Sequence, residues 1–487
     1  MLISLIPNST APLYRQVFDA IRLAIVNEEL KLHQRLPPSR ELAQQLSLSR
    51  NTINTAYAQL CAEGYLVARQ GSGYFVNAEL PEIYLRNRST ATQANSATPS
   101  ANPPFSKRGR FLARPTRPVP AISNPAFQPG LSDLDQFPFQ QWQHCVNHSL
   151  KRADRGIFKY SDQGGYQPLK LALQSYLSQS RGVRCDSGLI IIVNGSQAGL
   201  DLIARLLIDD GDLIAVEEPG YLGARDGFLA AGARLEAISV DGEGVSVKEL
   251  QKQRKKIRLI YTTPSYQFPL GVTMSLQRRL DLLEWAAEHK AFVIEDDYDS
   301  EFRYRDRPLS CLQGLDGSQR VIYFGTFSKV MFPGLRLGYI VAPPSLADGF
   351  AKALRKTGQD APLQLQAAMA EFIQQGLFTS HIRRMRTLYG EKQRLLVSLI
   401  RQHANDWLDI QETAAGMQVP AFFRKTVNVK MLSEQAKAAG QTITPLSNYY
   451  LKLPKRDGLY LGYAGVAIDD MRKNVLLLKR LLENTGN

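Results

Sequence analysis

The sequence predicts an α/β protein: a mostly parallel sheet covered by helices, with a small helical unit ahead of it and a smaller α+β unit behind. Three observations carry this. The apolar runs "LIIIVNG" (189–195), "DLIAVEEP" (212–219), "IRLIYTTP" (257–264), "AFVIEDD" (291–297) and "RVIYFGTFS" (320–328) are continuous rather than alternating, as in strands buried on both faces. Amphipathic stretches such as "SLQRRLDLLEWAAEHK" lie between several of them, which is the βα alternation of a helix-covered sheet. Residues 89–104, STATQANSATPSANPP, contain almost no core-forming side chains and divide the chain, because such a piece cannot bury enough surface to fold alone.

The chain has 487 residues, too many for one ordinary core. The expected division is a small helical head over 1–78, a flexible basic linker over 79–120 and a large body over 121–487, with the smaller unit at about 408–487. The net charge of +14 is densest in the linker and otherwise spread, so it suggests a polyanionic partner without locating one. Cys61, Cys145, Cys185 and Cys311 show no CxxC pairing and no histidine at zinc-site spacing, which argues against a disulfide framework and against zinc. The N-terminal MLISLIPNST lacks a basic export signal, and no run of about 18 apolar residues occurs. A soluble cytoplasmic protein without a membrane segment is expected.

In the head, residues 35–76 read as helix, tight turn, helix and β-hairpin. Ser39 is placed to cap "SRELAQQL". In "SLSRNTINTAYAQL" the apolar Ile53, Ala56, Tyr57 and Leu60 follow helical spacing and leave Arg50, Asn51 and Asn54 outward. Arginine and asparagine can read base edges or phosphates, and the Gly71-Ser72-Gly73 hairpin offers backbone amides and Arg69 to an adjacent groove. Spacing alone also fits a protein-binding helical module. The stretch "LPPSRELAQQLSLSRNTI", with "APLYRQVFDAIRLAIVNEEL" before it, resembles the GntR-type winged helix-turn-helix. That resemblance implies DNA contacts at Arg40, Ser49, Arg50, Asn51, Thr52 and Asn54, with Gln70 and Gly71 in the wing, and a double-stranded DNA operator as partner.

In the body, "GTFSKVMFPGLRLGY" (325–339) sets Lys329 in apolar surroundings with no carboxylate close in sequence. A buried ammonium is costly, so such a lysine is either on the surface or held neutral for chemistry. A neutral amine can form an imine with an aldehyde, and Ser328 and Arg336 can hold a phosphate. Ligands gather beyond the carboxyl ends of parallel strands, and the other polar candidates fall there too. Asn194-Gly195-Ser196-Gln197 begins a helix and makes an anion site. Tyr221 follows Pro219-Gly220 and can stack on a ring, Asp296 can pair with a protonated ring nitrogen, and Tyr298 points the same way and can reach a ring hydroxyl. Singly, each has a plainer explanation as a cap, a turn or a solvated acid. Together they suggest pyridoxal phosphate.

The motifs "YSDQGGYQPLK", "VNGSQAGLDL", "VEEPGY", "TPSYQFPLG", "IEDDYDSEFRY" and "HIRRMRTLYGEKQ" resemble the aspartate-aminotransferase family of fold type I, and the joined head and body resemble the MocR class of bacterial regulators. The resemblance implies a pyridoxal phosphate Schiff base at Lys329, Asp296 at the pyridine nitrogen and Tyr298 at the ring hydroxyl. It further implies phosphate contacts from Ser196, Gln197, Thr326 and Arg336, stacking by Tyr221, and Tyr160 reaching into the partner subunit of a homodimer, domain-swapped or not. Where relatives hold a substrate carboxylate with arginine, "GLYLGYAGV" has Tyr460 and Leu461. Gly223 stands where some regulators carry another arginine, with Arg225 two residues on, and Gln267 lies near the usual ring-contacting asparagine. His144 and His148 have ligand spacing on a helix but no evident third ligand, so no metal is assigned. The expected function is a transcription regulator whose body senses pyridoxal phosphate or an amine or amino-acid effector, with control of vitamin B6 or amino-acid metabolism as output. Its competitors are a working aminotransferase with a DNA-binding appendage and a body that has lost the cofactor and only dimerises.

Overall fold

The computed structural model describes residues 11–78, 80, 105–114, 126–152, 155–159, 164–304, 310–452, 454 and 456–485. The chain divides into two compact units, Met1–Pro104 and Phe105–Asn487.

The first unit has three helices and a hairpin. Helix α1 (Leu13–Val26) buries Val17, Phe18, Ile21 and Ile25, one stripe at helical spacing. Helix α2 (Ser39–Leu46) ends at Ser47 in the left-handed region, and α3 (Arg50–Ala62) buries Ile53, Ala56, Tyr57 and Leu60. Strands β1 (Leu66–Arg69) and β2 (Gly73–Val76) pair antiparallel as the hairpin. Ser39 is not a cap: it is the first helical residue, the chain enters α2 through Pro38, and no side chain caps this end. Ser49 does cap α3, accepting a hydrogen bond from the Thr52 amide.

Within the expected linker, Lys107–Leu112 forms a short helix that belongs to the second unit and is capped by Ser106. It lies against the helix Leu222–Ala230.

The second unit is built on an eight-stranded sheet. Its strands are β3 (Ile190–Val193), β4 (Leu213–Glu218), β5 (Arg234–Asp241), β6 (Gly244–Val245), β7 (Ile257–Thr262), β8 (Phe292–Asp297), β9 (Val321–Thr326) and β10 (Gly338–Val341), in the order β3-β10-β9-β8-β7-β4-β5-β6. The central pairs β5/β4, β4/β7, β7/β8 and β8/β9 are parallel. Strand β10 runs antiparallel between β9 and β3. The apolar run 325–339 is therefore two strands: β9 stops at Thr326, the chain turns through Pro333–Leu335, Arg336 adopts φ 50°, and β10 begins at Gly338. Lys329 sits in the loop between them.

The smaller unit carries β11 (Leu408–Ile410), β12 (Gln418–Phe423) and β13 (Gly458–Gly462), all antiparallel. "TITPLSNYYL" (442–451), which reads as a strand, instead makes one bridge at Pro445 and a 3₁₀ turn over Leu446–Tyr449. Proline cannot donate to a ladder, and the strand beside β13 is β12.

The sheet's carboxyl end is held by a buried ion pair. Arg181 donates from Nε to Asp297 Oδ2 at 2.8 Å and from Nη2 to Oδ1 at 2.9 Å, and Tyr323 donates to the same carboxylate. Burial works against the charge of Asp297, but Arg181 outweighs it and holds the carboxyl below its ordinary range. Arg181→Ala leaves that charge buried and unpaired, and should destabilise the body by about 3–5 kcal/mol. The measurement is the urea midpoint of body unfolding; an unchanged midpoint would show the pair to be dispensable.

Candidate functional site

The head presents one polar face. Arg40, Ser49, Arg50, Asn51 and Asn54 are exposed, as are Gln70 and Gly71 at the hairpin tip, while Thr52 is half-buried. The Ser49 and Thr52 hydroxyls hydrogen-bond each other at 2.8 Å, so these two side chains shape the start of α3. Arg50, Asn51 and Asn54 project from its first turns because Ile53, Ala56 and Tyr57 are fixed inward, Tyr57 also by a hydrogen bond from its hydroxyl to the Pro37 carbonyl at 2.9 Å. Gly71 has φ 74° with nothing near its absent Cβ, so the turn conformation rather than space requires glycine. Arg69 packs over the Phe75 ring at 4.8 Å, which leaves its guanidinium beside the wing. Such a face can dock on a duplex: cations for phosphate, amides for base edges.

In the body, a cavity of about 280 Å³ opens at the carboxyl ends of the parallel strands, and its lining includes Gly130, Ser196, Tyr221, Asp296, Thr326 and Lys329. Lys329 is half-buried, and its Nζ donates to the Gly130 carbonyl at 3.1 Å. Gly130 has φ 80°, and a Cβ there would collide with Nζ. Burial pulls the lysine below its ordinary range, with Asp299 and then Asp296 opposing. The amine is thus poised toward the neutral, nucleophilic form.

Asp296 ends near the cavity on β8. Its Oδ2 accepts from the Tyr261 hydroxyl at 2.5 Å, and its Oδ1 has no partner. Burial pushes it up to about 7, against the Tyr261 hydrogen bond. Tyr221 accepts from Gln197 Nε2 at 3.1 Å and meets Phe268 edge-on at 5.5 Å between centroids. Ser196 lies in the first turn of the helix Gly195–Leu207, an end with no side-chain cap. A Cβ on Gly195 would stand 3.3 Å from the Arg336 guanidinium carbon, so a cation and open helix amides share one corner. Thr326 and Ser328 close that corner: the Ser328 amide donates to Thr326 Oγ1 at 3.2 Å and Ser328 Oγ has no partner.

These groups fit pyridoxal phosphate. An unpartnered carboxylate oxygen, an amine of lowered basicity and a partnerless hydroxyl beside a helix N-terminus and an arginine are what its ring nitrogen, aldehyde and phosphate need. Tyr298 adds a hydroxyl that lies close to that of Tyr460 and bonds to no other group.

Of the predicted set, Lys329, Asp296, Ser196, Tyr221, Tyr298 and Thr326 line the cavity; Gln197, Ser328 and Arg336 do not, but stand next to it, beside Tyr221, Thr326 and Gly195 respectively. Tyr160 lies outside the described residues. Gln267 is spent elsewhere: buried, its amide donates to the carbonyls of Pro219 and Phe268 and to Glu217. Arg225 is spent too, bonding the carbonyls of Tyr449 and Glu217 and the Glu218 carboxylate. His148 contacts Glu371 at 2.5 Å, and its ring stacks on His144.

Tyr261, Asp299 and Gln418 are participants that sequence reasoning misses. Gln418 accepts from the Gly130 amide at 2.9 Å and donates to Asp299 Oδ2, joining the small unit to the lysine's neighbour. Tyr261 had a signal, its place near the end of an apolar strand beside β8; Gln418 had none.

The geometry defines a pyridoxal-phosphate-binding body of the aminotransferase kind in a chain headed by a winged helix-turn-helix. The chain belongs to the aminotransferase class I and II family over residues 131–452 and to the MocR-type transcriptional regulators. Residues 13–76 match the bacterial regulatory proteins of the gntR family. The chain is 42% identical to the probable rhizopine catabolism regulatory protein MocR of Rhizobium meliloti, over 98% of this chain and 96% of that one. It is 27% identical to the pyridoxine biosynthesis transcriptional regulator PdxR of Corynebacterium glutamicum, over 96% of each. The kynurenine aminotransferase of Pyrococcus horikoshii, solved in complex with PMP, superposes with a TM-score of 0.68 at 28% identity, covering 74% of this chain and 92% of that one.

A pH dependence follows for the cofactor-free protein. Asp296 rises from 3.8 to about 7 on folding, so the folded state holds a proton that the unfolded state releases. Its contribution to stability is full below about pH 4 and is lost as pH rises through 7. Asp296→Asn should therefore gain stability relative to wild type between pH 4 and 7; a pH-independent difference in thermal midpoint would contradict the raised carboxyl.

Proposed function

We propose that this regulator binds DNA through the α3 face and hairpin tip of its head, and carries pyridoxal phosphate in its body as a sensing group attached at Lys329. In this reading Asp296 pairs with the ring nitrogen, Tyr298 with the ring hydroxyl, and Tyr221 stacks on the ring. Ser196, Gln197, Thr326, Ser328 and Arg336 hold the phosphate. The carrying observation is that one amine, one half-satisfied carboxylate and one uncapped helix end open on a single cavity. Bound there, the group supplies an aldehyde carbon that one amine occupies at a time.

The chain's own residues do the rest. Asp296, left with a free oxygen, keeps a proton on the ring nitrogen. Gly130, by lacking a Cβ, lets its carbonyl hold Lys329 Nζ. Phe268 and Tyr449 keep water from the amine. An effector amine that displaces Lys329 frees Nζ to change partners among Gly130, Asp296 and Asp299, and so alters how Gln418 ties the small unit to the site. The assembly is a homodimer, and the two heads sit on paired half-sites. The compartment is the cytoplasm.

Borohydride treatment of protein saturated with pyridoxal phosphate should fix a pyridoxyl group at position 329, and Lys329→Ala should lose both adduct and absorption band. Absence of the adduct from wild type would reject the body assignment. Arg50→Ala should weaken operator binding by about 1–3 kcal/mol in a mobility-shift titration and leave the band unchanged. Stoichiometric keto acid from amino donors in a single turnover would favour an aminotransferase instead.

A further inference from the structure

We propose that the cavity beside Lys329 accepts a primary amine carrying no carboxylate or other acidic group. This rests on the reading that pyridoxal phosphate is attached there, and names the ligand class the same cavity selects.

The charges around the lysine are of one sign. Asp296 and Asp299 are both buried, each accepts a hydrogen bond at Oδ2, and each has Oδ1 without a partner. Burial pushes both up to about 7. Apart from Lys329 itself, no cationic side chain lines the cavity among the described residues. The two nearby guanidinium groups are committed: Arg225 is locked into the wall by Glu218 and two carbonyls, and Arg336 stands beside Gly195 at the helix N-terminus. A carboxylate entering this space would shed its water next to two acids and find no cation, which is costly. An amine meets the opposite situation: with Asp296 taken by the ring nitrogen, Asp299 still has an oxygen without a partner to accept from it.

The walls agree. Phe268, Tyr221, Tyr298 and Tyr449 line the cavity, and Phe268 is met edge-on by Tyr449 at 4.9 Å, Tyr221 at 5.5 Å, Tyr298 at 5.9 Å and the buried Tyr460, outside the lining, at 5.3 Å. These rings offer apolar faces and neutral hydroxyls, and those of Tyr298 and Tyr460 are bonded to nothing else. Such a surface suits a compact body of C–H and hydroxyl groups, and aromatic faces also attract a cationic amine. Tyr460 on β13 backs Phe268 and Tyr298, so an arginine in its place would bring a guanidinium to the rear of that wall.

The test uses full-length protein loaded with pyridoxal phosphate and two matched pairs, ethanolamine with serine and phenethylamine with phenylalanine. Absorption of the bound cofactor and calorimetric heat are followed together. Each amine should reach half-saturation at a concentration about tenfold or more below its carboxylated counterpart. Tyr460→Arg should narrow or reverse that ratio, and Tyr460→Phe, which keeps the packing, should preserve the preference. Equal or tighter binding of serine or phenylalanine overturns the inference, as does a wild-type protein whose band no amine shifts. Absence of the band removes the cofactor reading and this inference together.

Discussion

Between Glu295 and Glu301 the chain buries five carboxyl groups at the end of one strand, Glu295, Asp296, Asp297, Asp299 and Glu301, and the body is arranged around finding partners for them. A buried acid must be paired, hydrogen-bonded or neutral. Glu295 takes the amides of Leu312 and Gln313 at 2.8 and 2.9 Å; Asp297 takes Arg181 and Tyr323; Glu301 is reached by Tyr176. What remains after these structural pairings is one free oxygen on each of Asp296, Asp299 and Glu301, and the first two act on the only cation that lines the cavity among the described residues. The site is thus the residue of an incomplete neutralisation, and the direction of the lysine's shift reflects burial winning over those two acids.

The same constraint explains the division of labour among arginines. Arg181 and Arg225 are nine-tenths or more buried and serve the scaffold, each bonded to a carboxylate and to other oxygens. Arg336 is exposed, at a left-handed backbone position reached only because the chain reverses between β9 and β10. From sequence all three are arginines near motif residues; burial separates the ones that hold walls from the one that can meet a phosphate.

Much of this was legible beforehand. Continuous apolar runs locate β3, β4, β7, β8 and β9, and the polar residues following them do converge, because parallel strands put successive carboxyl ends on one edge. Helix α3 was legible to the side chain. The failures are physical as well. Ser39 is displaced from the cap by the prolines before it, "TITPLSNYYL" is interrupted by Pro445, and β10 hides within a run whose internal reversal no periodicity marks. Gln267 and Arg225 sit near functional positions but turn to backbone carbonyls that needed donors. Gln418 lies far along the chain in a strand with no distinguishing pattern, and only the packing of the small unit brings it to Gly130.

The short basic helix Lys107–Leu112 lies against Leu222–Ala230, whose first turn follows directly on Tyr221. A basic segment of the second unit is thereby anchored on the helix that follows Tyr221, a phenol lining the cavity. Leu222, the first residue of that helix, lines the cavity as well, so one short helix both walls the cavity and carries the basic segment. Stripping away Lys107–Leu112 would therefore remove a brace from the cavity's own boundary.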